Sequence, residues 1–135
     1  MRITATALTL VVDDVEASAR FLTDHFGFAV QMSADGFASL ARDDAGANVV
    51  FVRTGLPTMP ADQRDVRAAG LIVAFVVDDL EAELARLVDE GVTITMPLTV
   101  EEWGERAFQV RDPNGVVLQL VDWNGPVPGQ DLHEG

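Results

Sequence analysis

The chain has 135 residues, 48% of them hydrophobic and 23% charged, the size and composition of one folded domain with a real core. Its 22 acids against nine arginines give a net charge of −13, and it holds no cysteine, tyrosine or lysine. Those absences exclude thiolate and Schiff-base chemistry, disulfides and thiolate metal sites, and the acidic balance argues against nucleic acid as a partner.

Residues 3–12, ITATALTLVV, alternate with period two and predict a strand. The stretch runs into Asp13 and Asp14 without a cleavage site of small residues, and no apolar run approaches the roughly 20 residues that span a membrane. A cytoplasmic protein with no membrane partner is the expectation. The Asp pair supplies a helix N-cap, and about three helical turns follow, closed by Gly27 in the left-handed conformation. AVQMSA (29–34) predicts a further strand, and ARDDAGANVVFV (41–52) a strand, a tight turn and a strand. Residues 55–69, polar with two prolines, read as a linker.

The chain then repeats itself. At an offset of 65, Val76-Val77-Asp78-Asp79 matches Val11-Val12-Asp13-Asp14, and Glu81-Ala82 matches Glu16-Ala17. Gly91 closes the second helix, VTITMPL (92–98) supplies a strand, and VRDPNGVVLQLV (110–121) matches 41–52 at an offset of 69. The tail, 124–135, reads as loose. The chain is thus one domain, 1–135, with module one at about 3–54, the linker, module two at about 70–123, and the tail. Each half is too small to enclose a core alone. The expected fold is α+β, two βαβββ modules in tandem forming a concave mixed sheet with helices outside. Its concave face is the expected ligand groove.

The paired strand–Asp–helix openings, FLTDHFGF (21–28) and EEWGERAFQVRDPNGVVLQLVDW (101–123) resemble the vicinal oxygen chelate superfamily of glyoxalases, bleomycin resistance proteins and extradiol dioxygenases. The likeness covers roughly residues 3–123 and is nearest to the glyoxalase/bleomycin-resistance branch. It implies a divalent metal held by His or Glu on the first and last strand of each module. Counted from the repeats, those positions are Ala7, Val50, Ile72 and Gln119. Three are aliphatic and the fourth is a neutral amide, so neither a metal nor another cofactor is expected. His25 reads as a helix-end residue, His133 belongs to the tail, and Glu101, Glu102 and Glu105 form a solvated acidic loop around Trp103.

Alternation from those four positions puts Thr9, Val11, Ala74, Val76, Val52 and Val121 on the groove side. Pairing across the turns adds Phe37 and Ser39, and Arg106 and Phe108. Arg106 suits either a ligand carboxylate or an external salt bridge. Trp103 and Trp123, at strand ends, suit either stacking on a ligand or covering a core edge. The expected ligand-binding set is therefore Thr9, Phe37, Ser39, Val50, Ala74, Trp103, Arg106, Phe108, Gln119 and Trp123, with no catalytic residue. Together with these positions, the resemblance to bleomycin resistance proteins implies a metal-independent protein that sequesters an antibiotic or another hydrophobic or cationic organic molecule. The resemblance implies a homodimer. The alternatives are a metal-dependent enzyme of the glyoxalase or dioxygenase kind and a metal-free tailoring enzyme.

Overall fold

The computed structural model of the chain describes residues 1–126. Strand β1 (Ala7–Val12) leads into helix α1 (Val15–Phe26), then β2 (Ala29–Ala34), β3 (Phe37–Ala41) and β4 (Asn48–Arg53). After the linker come β5 (Val73–Val76), helix α2 (Leu80–Asp89), β6 (Ile94–Val100), β7 (Arg106–Arg111) and β8 (Val117–Asp122). Each half is a βαβββ module. The eight strands form two four-stranded mixed sheets, in the orders β1-β4-β3-β2 and β5-β8-β7-β6. In each, the first strand runs parallel to the last, and the remaining pairs are antiparallel.

The duplicated Asp pairs act as the sequence suggests. The second Asp of each pair is the N-cap: Asp14 Oδ1 accepts from the Ala17 amide at 3.1 Å, and Asp79 Oδ1 from the Ala82 amide at 3.0 Å. Each satisfies one of the free amides at the positive end of its helix. Gly27 closes α1 at φ 69°. Helix α2 ends one residue earlier than its glycine: Glu90 is the cap, and Gly91, at φ 84°, provides the left-handed turn. The Gly91 amide donates to Val88 O and the Val92 amide to Leu87 O, the paired bonds of a Schellman ending. Pro97 is tolerated in β6 because that strand is an edge, where a missing N–H costs no ladder bond.

The chain divides into two compact units, residues 1–71 with Asp112–Val116, and residues 72–111 with the chain from Val117. In the first, α1 lies against β2, β3 and β4, and Leu22, Phe26, Leu40, Val49 and Phe51 are buried. In the second, α2 lies against β8, and Leu80, Leu87, Phe108, Val110, Leu118 and Leu120 are buried.

Each unit also buries polar side chains, and among the described residues every one is partnered. In the first unit the 112–116 turn meets the start of α1. The Ser18 hydroxyl donates to Asp112 Oδ2, and Asn114 Nδ2 donates to Ser18 Oγ and to Asp14 O, both at 2.7 Å. Asp112 Oδ1 accepts the amides of Asn114 and Val116 at 2.8 and 2.9 Å. In the second unit Arg106 forks across two carboxylates, Asp122 at 2.5 Å and Glu81 at 2.9 Å, tying β7 to β8 and to the first turn of α2. The hydrogen bonds from Arg106 hold the Asp122 carboxyl down at about 2, against an ordinary value near 4. The same two carboxylates push the guanidinium upward, and Glu81 is lowered by its bond to Arg106.

Candidate functional site

Directly paired residues share a sheet face, so the ladders fix which side chains stand together. On the first sheet Thr9 is opposite Val50, Val50 opposite Ser39, and Val52 opposite both Val11 and Phe37. Thr9, Phe37, Ser39 and Val50 therefore share the face turned away from the helix-side core residues Leu10, Val49 and Phe51. Thr9 is exposed, Phe37, Ser39 and Val50 are half-buried, and Val11 and Val52 are buried. At the Val11 end the linker returns to the strand edge: the Ala68 amide donates to Val11 O, and Arg67 pairs with Asp13 at 2.7 Å.

Two further polar residues lie on this face. Gln31 occupies the register shift between Val30 and Met32, an extra residue in the edge strand. Its Oε1 accepts from Ser39 Oγ and from Asn48 Nδ2, each at 3.4 Å. Asn48 could have been found by alternation, since it stands two residues before Val50. Gln31 could not, because a bulge cannot be counted from a strand pattern.

The second sheet departs from expectation in one strand. Ala74 is opposite Gln119 and Val76 opposite Val121, as alternation requires. Across the turn, however, Gln109 is opposite Gln119, Ala107 opposite Val121, and Phe108 opposite Leu120. Arg106 and Phe108 therefore lie on the face opposite to Gln119, correcting the expectation that placed them beside it. Phe108 is fully buried, and Arg106 is engaged by Asp122 and Glu81, the salt-bridge alternative for that residue. Turn length explains the slip. Val50 stands eleven positions after its partner Ser39, whereas Gln119 stands ten after Gln109. The repeat offset that holds after the turn fails by one before it, which moves β7 to the other face.

The face that carries Gln119 thus carries Ala74, Ala107 and Gln109, with Met96 opposite Gln109 on β6. Gln109 Nε2 donates to Gln119 Oε1 at 2.8 Å. Trp103, in the loop before β7, is 56% exposed and donates from Nε1 to Glu105. Trp123, just past β8, is equally exposed. Neither covers a core edge tightly. His25 stacks edge-on against Phe21 within α1, their ring centroids 5.0 Å apart, as a helix-end residue does. His133 lies outside the described residues.

The family-implied metal can be tested against these donors. Ala7 opens β1 opposite Asn48, and Ile72 directly precedes β5. With Val50 and Gln119 they offer one neutral amide oxygen and no carboxylate or imidazole. The opposite faces offer no better set, since Leu8, Val49, Phe51, Val73, Leu118 and Leu120 are all apolar and Asp122, at the end of β8, is bound by Arg106. Among the described residues, no three His, Cys, Asp or Glu side chains gather where they could hold a metal ion. The residues present do not fit a divalent cation.

A separate cleft of about 970 Å³ opens in the first unit between α1 and the β2–β3 hairpin, lined by Glu16, Arg20, Val30, Ser33, Asp35 and Arg53 among others. Its aspartates are already engaged. Asp14 caps α1, Asp35 pairs with Arg53 at 3.0 Å, and Asp13 holds Thr54 and Arg67. Those arginine hydrogen bonds keep Asp35 and Asp13 below the ordinary carboxylate value. Groups so held are poor proton carriers near neutral pH.

The same architecture recurs in solved structures. A glyoxalase/bleomycin resistance protein/dioxygenase from Nocardioides is 25% identical, with TM-score 0.71, over 97% of this chain and 91% of that one. TioX from Micromonospora sp. ML1 is 26% identical, with TM-score 0.67, over 90% and 99%. A superfamily member from Sphaerobacter thermophilus DSM 20745 is 26% identical, with TM-score 0.66, over 89% and 97%. No protein of curated function matches the chain. The family model for these proteins matches residues 3–120, nearly the whole described chain, and so the chain belongs to the glyoxalase/bleomycin resistance protein/dioxygenase superfamily.

Proposed function

We propose that this chain is a metal-independent binding protein that sequesters a small organic molecule, an antibiotic or another hydrophobic or cationic compound, as bleomycin resistance proteins do. The observation that carries the reading is chemical. Where the family implies ion-binding side chains, this chain has alanine, valine, isoleucine and glutamine, flanked by alanines, valines and neutral amides. Such faces hold organic molecules by shape and a few directional hydrogen bonds. The net charge of −13 adds a long-range attraction for cations. Thr9, Phe37, Ser39 and Val50 on one sheet, and Ala74 and Gln119 on the other, are the proposed contact residues, with Trp103 and Trp123 as stacking platforms. A homodimer in the cytoplasm, with no cofactor and no nucleic-acid partner, completes the proposal.

The test is a thermal-shift and tryptophan-fluorescence titration against a panel of antibiotics, with metal content measured on protein purified without chelators. A bound ligand at a hundred times its Kd stabilises the fold by about 2.7 kcal/mol, a readily seen shift. Binding by metal-free protein supports the proposal. One tightly held ion per chain, required for binding or turnover, overturns it in favour of a metal-dependent enzyme.

A further inference from the structure

The exposed face of the second sheet presents a polar arrangement that the fold does not use up. Gln109 and Gln119 stand opposite one another, half-buried, joined by a single hydrogen bond of 2.8 Å. Two carboxamides hold two carbonyl oxygens and two amino groups, and their mutual bond consumes one of each. Whichever way the amides are turned, one carbonyl oxygen and one amino group are left over. Among the described residues no buried side-chain nitrogen or oxygen lacks a partner, so both leftover groups are open to solvent.

Their surroundings are mostly apolar. Ala74 and Ala107 are too small to shield the amides, Val76, Val117, Val121 and Met96 are apolar, and Thr99, opposite Ala107, gives its hydroxyl to Pro97 O. Among the described residues of this face only Arg111, at the hairpin end of β7, is charged. In a chain with 31 charged side chains, a face with two joined amides and no carboxylate is selective about its ligands.

We propose that the Gln109–Gln119 pair recognises a neutral carboxamide, lactam or urea group of the bound molecule. Such a group offers an N–H and a C=O side by side, matching the leftover carbonyl and amino groups. A carboxylate has only acceptors, so it satisfies the amino group and meets the carbonyl with like polarity. A guanidinium has only donors and fails in the opposite sense. This inference rests on the reading that these faces receive an organic ligand, and it names the chemistry of one part of that ligand.

The probe is 2-pyrrolidinone, compared with acetate and methylguanidinium, on the full-length ¹⁵N-labelled chain. The readout is the side-chain NH₂ resonances of Gln109 and Gln119, with the exposed Gln63 as internal control. The lactam is expected to move both resonances saturably, with a Kd on the order of 10–100 mM for so small a molecule. The two ions are expected to bind at least about fivefold more weakly, and Gln109→Leu to weaken the lactam about tenfold. Gln109→Glu replaces the Gln109 amino group with an acceptor oxygen, so that Gln119 donates within the pair and both leftover oxygens accept, and it is expected to transfer the preference to methylguanidinium. Backbone spectra of both variants establish that they remain folded. Equal response to all three probes, shifts no larger than those of Gln63, or lactam affinity unchanged in Gln109→Leu would overturn the assignment. If a panel antibiotic binds wild type and Gln109→Leu equally, the amide assignment falls while the ligand-binding reading stands.

Discussion

Replacing Ser18 by alanine removes one oxygen from a fully buried position on the inner side of α1. That oxygen bridges two residues of the 112–116 turn, donating to Asp112 Oδ2 and accepting from Asn114 Nδ2. Asn114 keeps its bond to Asp14 O, and Asp112 Oδ1 keeps two backbone amides. The damage falls on Asp112 Oδ2, a buried carboxylate oxygen left without its hydroxyl partner. A stranded buried acceptor costs about 1–3 kcal/mol, towards the upper end when charged. Alanine's better helix propensity returns about 0.5 kcal/mol. The expected net loss is about 1.5–2.5 kcal/mol, or roughly 5–12 °C in Tm for a domain of this size. Urea unfolding followed by circular dichroism measures it, with Thr23→Ala, whose hydroxyl bonds only Arg20 O on the exposed side of α1, as a control within about 0.5 kcal/mol of wild type. A double-mutant cycle with Asp112→Asn then isolates the pair, with an expected coupling of about 1 kcal/mol or more. A Ser18→Ala variant as stable as the wild type would refute the reasoning, because it would mean that the turn is not anchored through this hydroxyl.

The two sides of β7 should respond very differently: Phe108→Ala should cost about 3–5 kcal/mol, and Gln109→Ala less than about 1, in the same urea assay. Comparable losses at both positions would reject the pairing of Gln109 with Gln119 and of Phe108 with Leu120. Asp122 titrates at about 2 when folded and near 4 unfolded, so its charged form favours the native state. Its contribution is complete above about pH 5 and is lost as pH falls through 2. The stability gap between wild type and Asp122→Asn should therefore close in acid, and a gap constant from pH 7 to pH 2 would show that the pair with Arg106 does not act in this way. Gly27→Ala places a Cβ 2.9 Å from Arg42 Nη1 at φ +69°. The left-handed strain alone costs about 1–2 kcal/mol, and displacing the guanidinium from Phe26 O at 2.6 Å adds to it. Thermal melts of this variant and of Gly46→Ala, where a Cβ meets nothing within 4 Å, separate the local clash from a general glycine effect.

The parts of this fold that were legible in the sequence are those governed by local chemistry. The doubled Asp pairs marked both helix starts because capping needs only a carboxylate three residues before a free amide, and Asp14 and Asp79 meet that condition. Alternation marked the strands because one face of each sheet had to bury Leu10, Phe51 or Leu120. What could not be read depends on distance along the chain. Nothing local to Ser18 announces an acceptor 94 residues away, and nothing in AVQMSA announces the extra residue at Gln31. The failure at β7 is more instructive. A repeat is evidence about ancestry, whereas a sheet face is decided by counting, and a turn shortened by one residue preserves the first while inverting the second.

That inversion separates conclusions that depend on register from those that do not. Had Phe108 and Arg106 shared the face of Gln119, that surface would have combined an aromatic ring with a cation, suited to stacking and to anionic groups. With Ala107 and Gln109 there instead, it is an apolar face bearing two linked amides, suited to neutral hydrogen bonding. The chemistry this face offers therefore turns on a single residue of turn length. The metal argument does not. Moving any of β1, β4, β5 or β8 by one position exchanges alanine, valine, isoleucine and glutamine for threonine, leucine, valine and phenylalanine, and neither set contains a carboxylate or imidazole. Asp122, the one carboxylate in these four strands, is bound by Arg106, so the poor fit to a divalent ion at the four positions holds whichever way the strands face, and it is the firmer support for the proposed metal-independent role.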